Sequence, residues 1–479
     1  MSIRSGQFPW KTFIRQLAAI AVPVALQNLL TTTASMVDTM MVAPLGELSV
    51  GAIGLCAQFS TLMFSGYWGF LGGGMLFFAQ YFGAKDDDGI ERSYGMTITC
   101  VMTVASVFAC MALFAPELVM RIYTDKESVR QIGIQYLRIV GFAYVMQVLS
   151  MGMSSLLRTT ERVTIPLIAS ICSVAANLTL NWILIYGHLG APAMGIRGAA
   201  LATTIAAAVN VAVIYILAWR SGYRYLFHVR NHFRWNRAAL REYFIKCFPI
   251  LCNEVLIGVG NMVINITLGR QPEQVIAAVA VFRTLEGLVI GFFAGFSNAA
   301  SVLIGTCVGG GEPEIAYERA RRLVYLCSGT IFFVDIVLLL LHTPVLTAMS
   351  LHGESFTAGT NLLIIYVAVS VIRMGNWIHN DMYRASGETV FGTVLEITFM
   401  LLMVVPCVLI SAFVLHWPYW AIFICCYIDE PIRYFLMQRH LYSTRWIKPI
   451  TDMGKEALEK FRIGRDLDPA KLDNGRFFP

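Results

Sequence analysis

The sequence predicts an all-α polytopic membrane protein with twelve transmembrane helices in two pseudo-symmetric six-helix bundles. Of the 479 residues, 57% are hydrophobic and 14% are charged, whereas soluble domains carry about 25% charged residues. Apolar runs long enough to cross a bilayer, roughly 20 residues as a helix, recur along the chain. The chain also repeats itself at a fixed spacing. Together these observations exclude a water-soluble enzyme and predict two related membrane-embedded halves.

The predicted spans form two sets of six. The first set covers residues 16–43, 50–82, 93–115, 133–157, 163–187 and 193–218. The second set covers residues 243–268, 276–308, 319–342, 356–383, 389–413 and 417–440. An arginine-rich polar segment separates the sets. The predicted domains are therefore an N-lobe at 1–218, a cytoplasmic basic linker at 219–242, a C-lobe at 243–440 and a cytoplasmic C-terminal tail at 441–479.

The internal repeat has an offset of 226 residues. It pairs Pro23 with Pro249, Gly83 with Gly309 and Arg158 with Arg384, each with similar neighbours. Because six spans separate the copies, both halves enter the membrane from the same side, and an axis along the membrane normal relates them. Duplicated lobes of this kind are typical of transporters that bind a substrate between the halves.

The positions of the basic residues predict the orientation. With both termini in the cytoplasm, the inner loops and ends contain roughly 28 Lys and Arg residues and the outer loops about five. Positive charge accumulates on the cytoplasmic side of membrane proteins. We therefore expect a multi-pass protein of the cell membrane with both ends inside, and the net charge of +6 does not indicate nucleic-acid binding.

Ionisable residues inside the spans are candidates for function, because a charge at the bilayer centre costs at least about 2.5 to 3.5 kcal/mol. Asp38 is the clearest, since no Lys or Arg lies within a turn of it in the first span. Asn177 and Asn181 are four residues apart on one face of the fifth span. With Asp38 and the Thr203 hydroxyl they would form an oxygen-lined site for Na⁺ or for a proton. Asn177 and Asn181 are also explained by hydrogen bonding between helices.

A second candidate site lies in the C-lobe. Its intramembrane charges are Glu254, Arg283, Glu286 and Asp381. Pairing of Arg283 with Glu254 or Asp381 would neutralise both partners, so a structural ion pair is as good an interpretation as a transport site. Arg384 is interpreted as structural.

The sequence resembles the MATE family of multidrug and toxic compound extrusion antiporters. The resemblance covers nearly the whole chain apart from the tail. It is carried by VDTMMVAPLG around Asp38, AQYFGAKD (79–86), LLRTTERVTIP (156–166), NLTLNWILIYG (177–187), PILCNE (249–254) and RASGET (384–389). Many members have a cation-binding acid where this chain has Ile257, and Glu254 is the nearest acid.

The resemblance implies a cation-coupled antiporter, using H⁺ or Na⁺, that exports organic and often cationic compounds by alternating access. It implies that Asp38 is the N-lobe protonation or ion site. Beyond the coupling ion no cofactor is expected, and the expected partners are small organic substrates and the bilayer, with a functional monomer. The alternative is a lipid-linked saccharide flippase of related two-lobe architecture, which would favour a cationic cleft. An intramembrane enzyme is disfavoured, because no paired Asp, HExxH or Ser/His constellation appears in the spans.

Overall fold

The computed structural model describes residues 9–349 and 351–466, except for the side chains of 464–466. All regular secondary structure in these residues is helical. The helices are α1 Trp10–Val42, α2 Glu47–Ala84, α3 Asp87–Phe114, α4 Pro116–Tyr123, α5 Glu127–Thr159, α6 Thr164–Tyr186, α7 Ile196–Arg220, α8 Val229–His232, α9 Arg237–Leu268, α10 Glu273–Gly309, α11 Pro313–Leu340, α12 His342–Ala348, α13 Gly353–Ala385, α14 Phe391–Phe399, α15 Val405–Leu409, α16 Tyr419–Cys425, α17 Glu430–Tyr442 and α18 Asp452–Asp466.

Eleven helical stretches of the described residues are long and apolar enough to cross a bilayer, and they coincide with the first eleven predicted spans. The eleventh combines α14 and α15 with two π-helical turns, Met400–Val404 and Ile410–Val414. Pro406 lies in this stretch and lacks a backbone N–H, so the regular i to i−4 bonding cannot continue through it. The wider turns accommodate the missing bond within one continuous span.

The twelfth predicted span, 417–440, is two shorter helices and not one. Turns separate α16 from α17 after Cys425. Pro431 is the second residue of α17, and its ring would clash with the carbonyl four residues earlier in a continuous helix. The proline therefore sets the start of α17, where a missing N–H costs nothing.

The chain divides into two compact units by its contacts. Unit 1 comprises Met1–Ala21, Ala79–Asp86 and Cys252–Pro479, and unit 2 comprises Val22–Phe78 and Asp87–Leu251. The lobe boundaries expected from the sequence remain a prediction.

In unit 2, α6 and α7 pack closely because small residues line their contact. A Cβ atom on Gly198 of α7 would lie 2.5 Å from the carbonyl oxygen of Leu184 in α6. Close approach over small residues is how helices associate in lipid, where no hydrophobic force draws them together. The Gln27 side chain donates to Ser170 Oγ at 2.8 Å, which joins α1 to α6. This packing fixes the positions of the polar side chains on α1 and α6.

In unit 1, a segment after α17 binds the ends of several helices; we call residues 443–451 the C-terminal strap. Trp446 of the strap is fully buried, and Ser386 Oγ donates to its carbonyl oxygen at 2.6 Å. The Ile450 N–H donates to Gln80 Oε1 at 2.7 Å. The tail expected at 441–479 thus begins as an ordered segment followed by α18, and its residues 467–479 lie outside the described residues.

Candidate functional site

In unit 2, α1 and α6 bring Asp38, Asn177 and Asn181 together. Asp38 is half-buried, four residues before the end of α1, and both asparagines are buried. Asn181 Nδ2 donates to Asp38 Oδ1 at 2.6 Å and to Asn177 Oδ1 at 3.2 Å. The i, i+4 spacing of the asparagines places both amides beside one carboxylate.

The Asn177 amide also faces the Asp38 carboxylate. With its nitrogen on the Asp38 side, the amide donates to Asp38 Oδ1 at 2.6 Å. An amide group offers a donor on one side and an acceptor on the other, so it can bond Asp38 in either protonation state.

Thr203 stands apart from the Asp38 carboxylate in its hydrogen bonding. Its hydroxyl donates to the Ala199 carbonyl in its own helix at 3.0 Å and also bonds the Tyr136 side chain. Tyr136 interacts electrostatically with Asp38. Thr203 therefore bonds Tyr136 and not the Asp38 carboxylate, and Tyr136 was not predicted from the sequence.

The second half of the chain has no acid equivalent to Asp38. The Gln27–Ser170 bond has a counterpart 226 residues later, where Asn253 Nδ2 donates to Glu396 Oε2 at 3.1 Å. The same offset takes Asp38 to Ile264 and Asn181 to Cys407. Ile264 belongs to the apolar cluster of unit 1, and Cys407 packs against that cluster. The two halves therefore share a contact and differ in their acid sites.

In unit 1, Glu254 and Asp381 share the guanidinium of Arg384. The Arg384 nitrogen is 3.5 Å from Glu254 and 3.9 Å from Asp381. Ser297 donates a hydrogen bond to the second oxygen of Asp381. Arg384, interpreted from the sequence as structural, thus lies at the centre of the group.

Glu286 belongs to a different group of charges. Arg283 donates to Glu286 at 2.7 Å, and Arg373 of α13 donates to its other oxygen. The expected pairing of Arg283 with Glu254 or Asp381 is therefore wrong. Arg283 and Glu286 are three residues apart on one helix, and this spacing places their side chains side by side.

The two groups are linked through α14 and α17. Arg373 lies 3.9 Å from Glu430, and Arg433 lies 3.7 Å from Glu430 and 3.8 Å from Glu396. Asn253 bonds both Glu396 and Glu254. We call the resulting set the unit 1 charge network, whose members are Glu254, Arg283, Glu286, Arg373, Asp381, Arg384, Glu396, Asp429, Glu430 and Arg433.

This network contains six carboxylates and four arginines. If all are ionised, the sum is two negative charges, which a low-dielectric surrounding disfavours. Two protons or two positive charges from elsewhere would balance it. Arg373 was not among the candidates predicted from the sequence, although an arginine near the middle of a predicted span meets the same criterion that singled out Asp38.

A cavity of about 300 Å³ in unit 2 is lined by Tyr67, Phe64 and Gln147, with Ser60, Thr61 and Met63. Phe64 stacks on Trp68 with ring centroids 4.9 Å apart. Flat rings and thioether groups adapt to substrates of varied shape.

Among the described residues, no three His, Cys, Asp or Glu side chains are grouped to hold a metal ion. At Asp38 a Na⁺ ion would need amide oxygens as ligands. The nitrogen of Asn181 faces the carboxylate instead, and Asn181 Oδ1 is buried without a hydrogen-bond partner. Turning of the Asn181 amide would bring its oxygen to the carboxylate, so these residues fit a proton or a Na⁺ ion.

Comparison with known families matches the MatE family model twice, at residues 23–183 and 249–409. Together the two matches cover more than half of the chain. The chain belongs to the MatE family. The second match begins 249 − 23 = 226 residues after the first, so the repeat found in the sequence is the repeat of the MatE family. MatE is a family of transporters, and the expectation that the chain is not an enzyme is confirmed.

Curated relatives in the MatE family have low sequence identity to this chain but align with most of its length. The uncharacterized transporter YisQ of Bacillus subtilis is 20% identical over 444 residues, which are 91% of this chain and 96% of that protein. The multidrug resistance protein NorM of Burkholderia vietnamiensis is 25% identical over 331 residues, 68% of this chain and 70% of its own length.

Among solved structures, a crystal structure of MATE in complex with MaL6 has a TM-score of 0.80 at 17% identity. It covers 90% of this chain and 96% of the solved chain. Solved MATE transporters are twelve-helix bundles in two lobes, so the predicted fold class is confirmed. The protein is therefore a multi-pass membrane transporter of the MatE family.

Proposed function

We propose that this protein exports organic cations from the cell in exchange for protons, with Asp38 as the coupling carboxylate. Family membership supports drug export, because relatives such as NorM are named multidrug resistance proteins. The two more specific parts of the proposal are proton coupling and cationic substrates. Both rest on the arrangement of charged and polar groups.

The observation that carries the proposal is the pairing of Asp38 with two amides on a neighbouring helix. Loss of the proton leaves a carboxylate held by Asn181 Nδ2 at 2.6 Å and by the turned amide of Asn177. Binding of a proton removes the negative charge that these amides hold. The contact between α1 and α6 thus changes with protonation, and a transport cycle needs such a difference between its states.

Coupling follows if only one protonation state of Asp38 allows substrate to bind. A ligand shifts a conformational equilibrium only by its difference in affinity for the two states. We therefore propose that entry of a proton at Asp38 favours release of the substrate to the outside, and that loss of the proton to the cytoplasm restores the state that binds substrate.

The unit 1 charge network supports a cationic substrate. Its excess of acids over arginines disfavours an anion such as a lipid-linked saccharide phosphate and favours positively charged compounds. No specific feature of the described residues favours the saccharide flippase.

Purified protein in liposomes tests the proposal, with ethidium as the substrate probe. Under a proton gradient alone we expect ethidium transport, and under a Na⁺ gradient alone we expect none. Asp38→Asn should abolish transport, whereas Thr39→Ala on the neighbouring exposed position should leave it intact, since the Thr39 hydroxyl bonds only its own helix at Ser35. Transport driven by Na⁺ alone, or undiminished transport by Asp38→Asn, would overturn it.

We further propose that the protein is a monomer in the cell membrane with both termini in the cytoplasm. The distribution of Lys and Arg supports this orientation. Tags on the two ends should both be protected from reagents added outside intact cells. Labelling of the ends from opposite sides would show an odd number of spans and contradict the topology.

A further inference from the structure

Asp335 is a buried acid that neither the Asp38 site nor the unit 1 charge network includes. It lies in α11, five residues before the helix ends, and its exposed fraction is 1%. Its neighbours in the sequence are apolar, as in FFVDIVLLL. Within the described residues, no Lys, Arg or His pairs with it. Its hydrogen-bond partner is Ser370 of α13, and no described residue bonds its other oxygen, Oδ1.

Counting hydrogen atoms indicates where the proton of this pair lies. Ser370 Oγ is within bonding distance of Asp335 Oδ2 and also of the Val367 carbonyl oxygen, at 3.1 Å. A serine hydroxyl has one hydrogen and can donate to only one of the two acceptors. If Asp335 carries a proton, it donates to Ser370 Oγ, and Ser370 donates to Val367. Protonated Asp335 therefore satisfies both contacts.

Few titratable groups face Asp335 from the helices packed on α11. Tyr366 of α13 interacts with it electrostatically, and the Tyr366 hydroxyl is also buried without a hydrogen-bond partner. Glu286 and Arg283 of α10 and Arg373 of α13 act on Tyr366, and Ser370 of α13 hydrogen-bonds Asp335. On α12, His342 bonds the Leu339 carbonyl.

We propose that Asp335 is a second proton-carrying site of the transporter, separate from Asp38. This inference rests on the proposed proton coupling. On release, the O–H bond of the Asp335 carboxyl breaks, the proton passes to water, and the electron pair stays on the carboxylate. The Ser370 hydroxyl then turns its hydrogen from Val367 to Asp335. Uptake of a proton reverses these changes.

Infrared difference spectroscopy of the purified protein tests the protonation state at rest. Asp335→Asn should remove one protonated carboxyl band at neutral pH. Ser370→Ala keeps the Asp335 carboxyl and removes the hydroxyl that accepts its proton, so it should shift the frequency of the same band. It also serves as the test if Asp335→Asn does not fold. Thr330→Val is the control, because the Thr330 hydroxyl of α11 bonds only the Leu326 carbonyl. An unchanged carboxyl spectrum in both Asp335→Asn and Ser370→Ala overturns the proposal.

Proton release in weakly buffered detergent, on addition of ethidium, tests the role in transport. The wild type should release more protons per bound ethidium than either Asp335→Asn or Asp38→Asn alone. Equal release by the wild type and Asp335→Asn, with reduced release by Asp38→Asn, would overturn the role of Asp335 and leave the proposed function standing. Absence of release from the wild type would overturn the proposed function itself.

Discussion

The side-chain nitrogen of Asn181 lies 2.6 Å from Asp38 Oδ1, although 143 positions separate the two residues in the chain. The Gln27–Ser170 bond joins the same two helices at the same separation in sequence. The two bonds are eleven residues apart along α1, about three helical turns. They hold α1 against α6 at two levels, and the polar contact at Asp38 is therefore part of a defined helix interface.

Replacement of Asn181 by Leu should reduce transport without loss of protein. The substitution keeps the side-chain size and removes the donor to Asp38, and a hydrogen bond to a charged group contributes about 1.5 to 3 kcal/mol. Ethidium efflux from cells, normalised to membrane abundance, should fall roughly tenfold to a hundredfold. Thr179→Ala is the matched control, because the Thr179 hydroxyl on the same helix bonds the Ala175 carbonyl. Equal efflux by Asn181→Leu and the wild type would contradict a role for this contact.

Replacement of Arg384 by Met should destabilise unit 1, because it leaves Glu254 and Asp381 without their shared cation. Removal of one partner from a fully buried pair costs about 3 to 5 kcal/mol. Glu254 is 24% exposed, so we expect the lower end of that range. Thermal unfolding in detergent measures the change.

The double variant Arg384→Met with Glu254→Gln tests the cause of this loss. If the uncompensated carboxylate is responsible, the double variant should be more stable than Arg384→Met alone. A double variant that unfolds earlier than the single one would show that packing of the Arg384 side chain, and not its charge, stabilises the site.

The fold could be predicted from the sequence because a membrane span needs a long apolar run, and such a run is visible without any partner. The 226-residue repeat could also be predicted, because local motifs such as those at Pro23 and Pro249 can be compared without knowing any tertiary contact. The division of the twelfth span was missed, although Pro431 signals it.

The charge pairs could not be predicted, since each depends on which faces of distant helices meet. Arg384 illustrates this limit, because its acids lie on α9 and on its own helix α13. Asp335 and Arg373 are a different case. Each is an isolated charge inside a predicted span, so the criterion that identified Asp38 applies to both.

Acid should loosen the C-terminal strap at Glu388. Burial raises the pKa of this carboxyl, but the Lys448 ammonium and the Phe391 and Val390 N–H groups lower it more, so the net pKa lies below its ordinary value of 4.5. A carboxyl with a depressed pKa stabilises the folded state above its unfolded pKa. The stabilisation is lost as the pH falls below 4.5 through the pKa of the folded state.

Hydrogen exchange of the Ile450 N–H, which donates to Gln80, reports the loosening. Lys448→Met should lower the exchange protection of the Ile450 N–H at neutral pH by about twofold to fivefold, because a partly exposed ion pair contributes up to about 1 kcal/mol. Its protection should also depend less on pH than that of the wild type. Lys455→Met is the control, since Lys455 pairs with exposed Asp452. Equal effects of the two lysine variants would exclude a specific role for Glu388.

Replacement of Gly387 by Ala should detach the strap, because the strap backbone lies where a Cβ would be. Gly387 has a φ of +97°, and a Cβ there would lie 2.0 Å from the Lys448 carbonyl oxygen. Left-handed backbone alone costs an L-residue about 1 to 2 kcal/mol, and the clash adds to that cost. We expect a lower unfolding temperature and loss of exchange protection at Ile450.

Gly353→Ala separates the two causes in the Gly387 experiment. Gly353 has a φ of +57°, and a Cβ there would have no atom within 4 Å. Its substitution therefore adds backbone strain without a clash, and it should lower the unfolding temperature less and leave Ile450 protected. If both alanine variants lower stability equally and keep Ile450 protected, the strap does not depend on close contact with the turn after α13. If only Gly387→Ala exposes Ile450, the close approach of Gly387 to Lys448 is what holds the strap against the ends of α2 and α13.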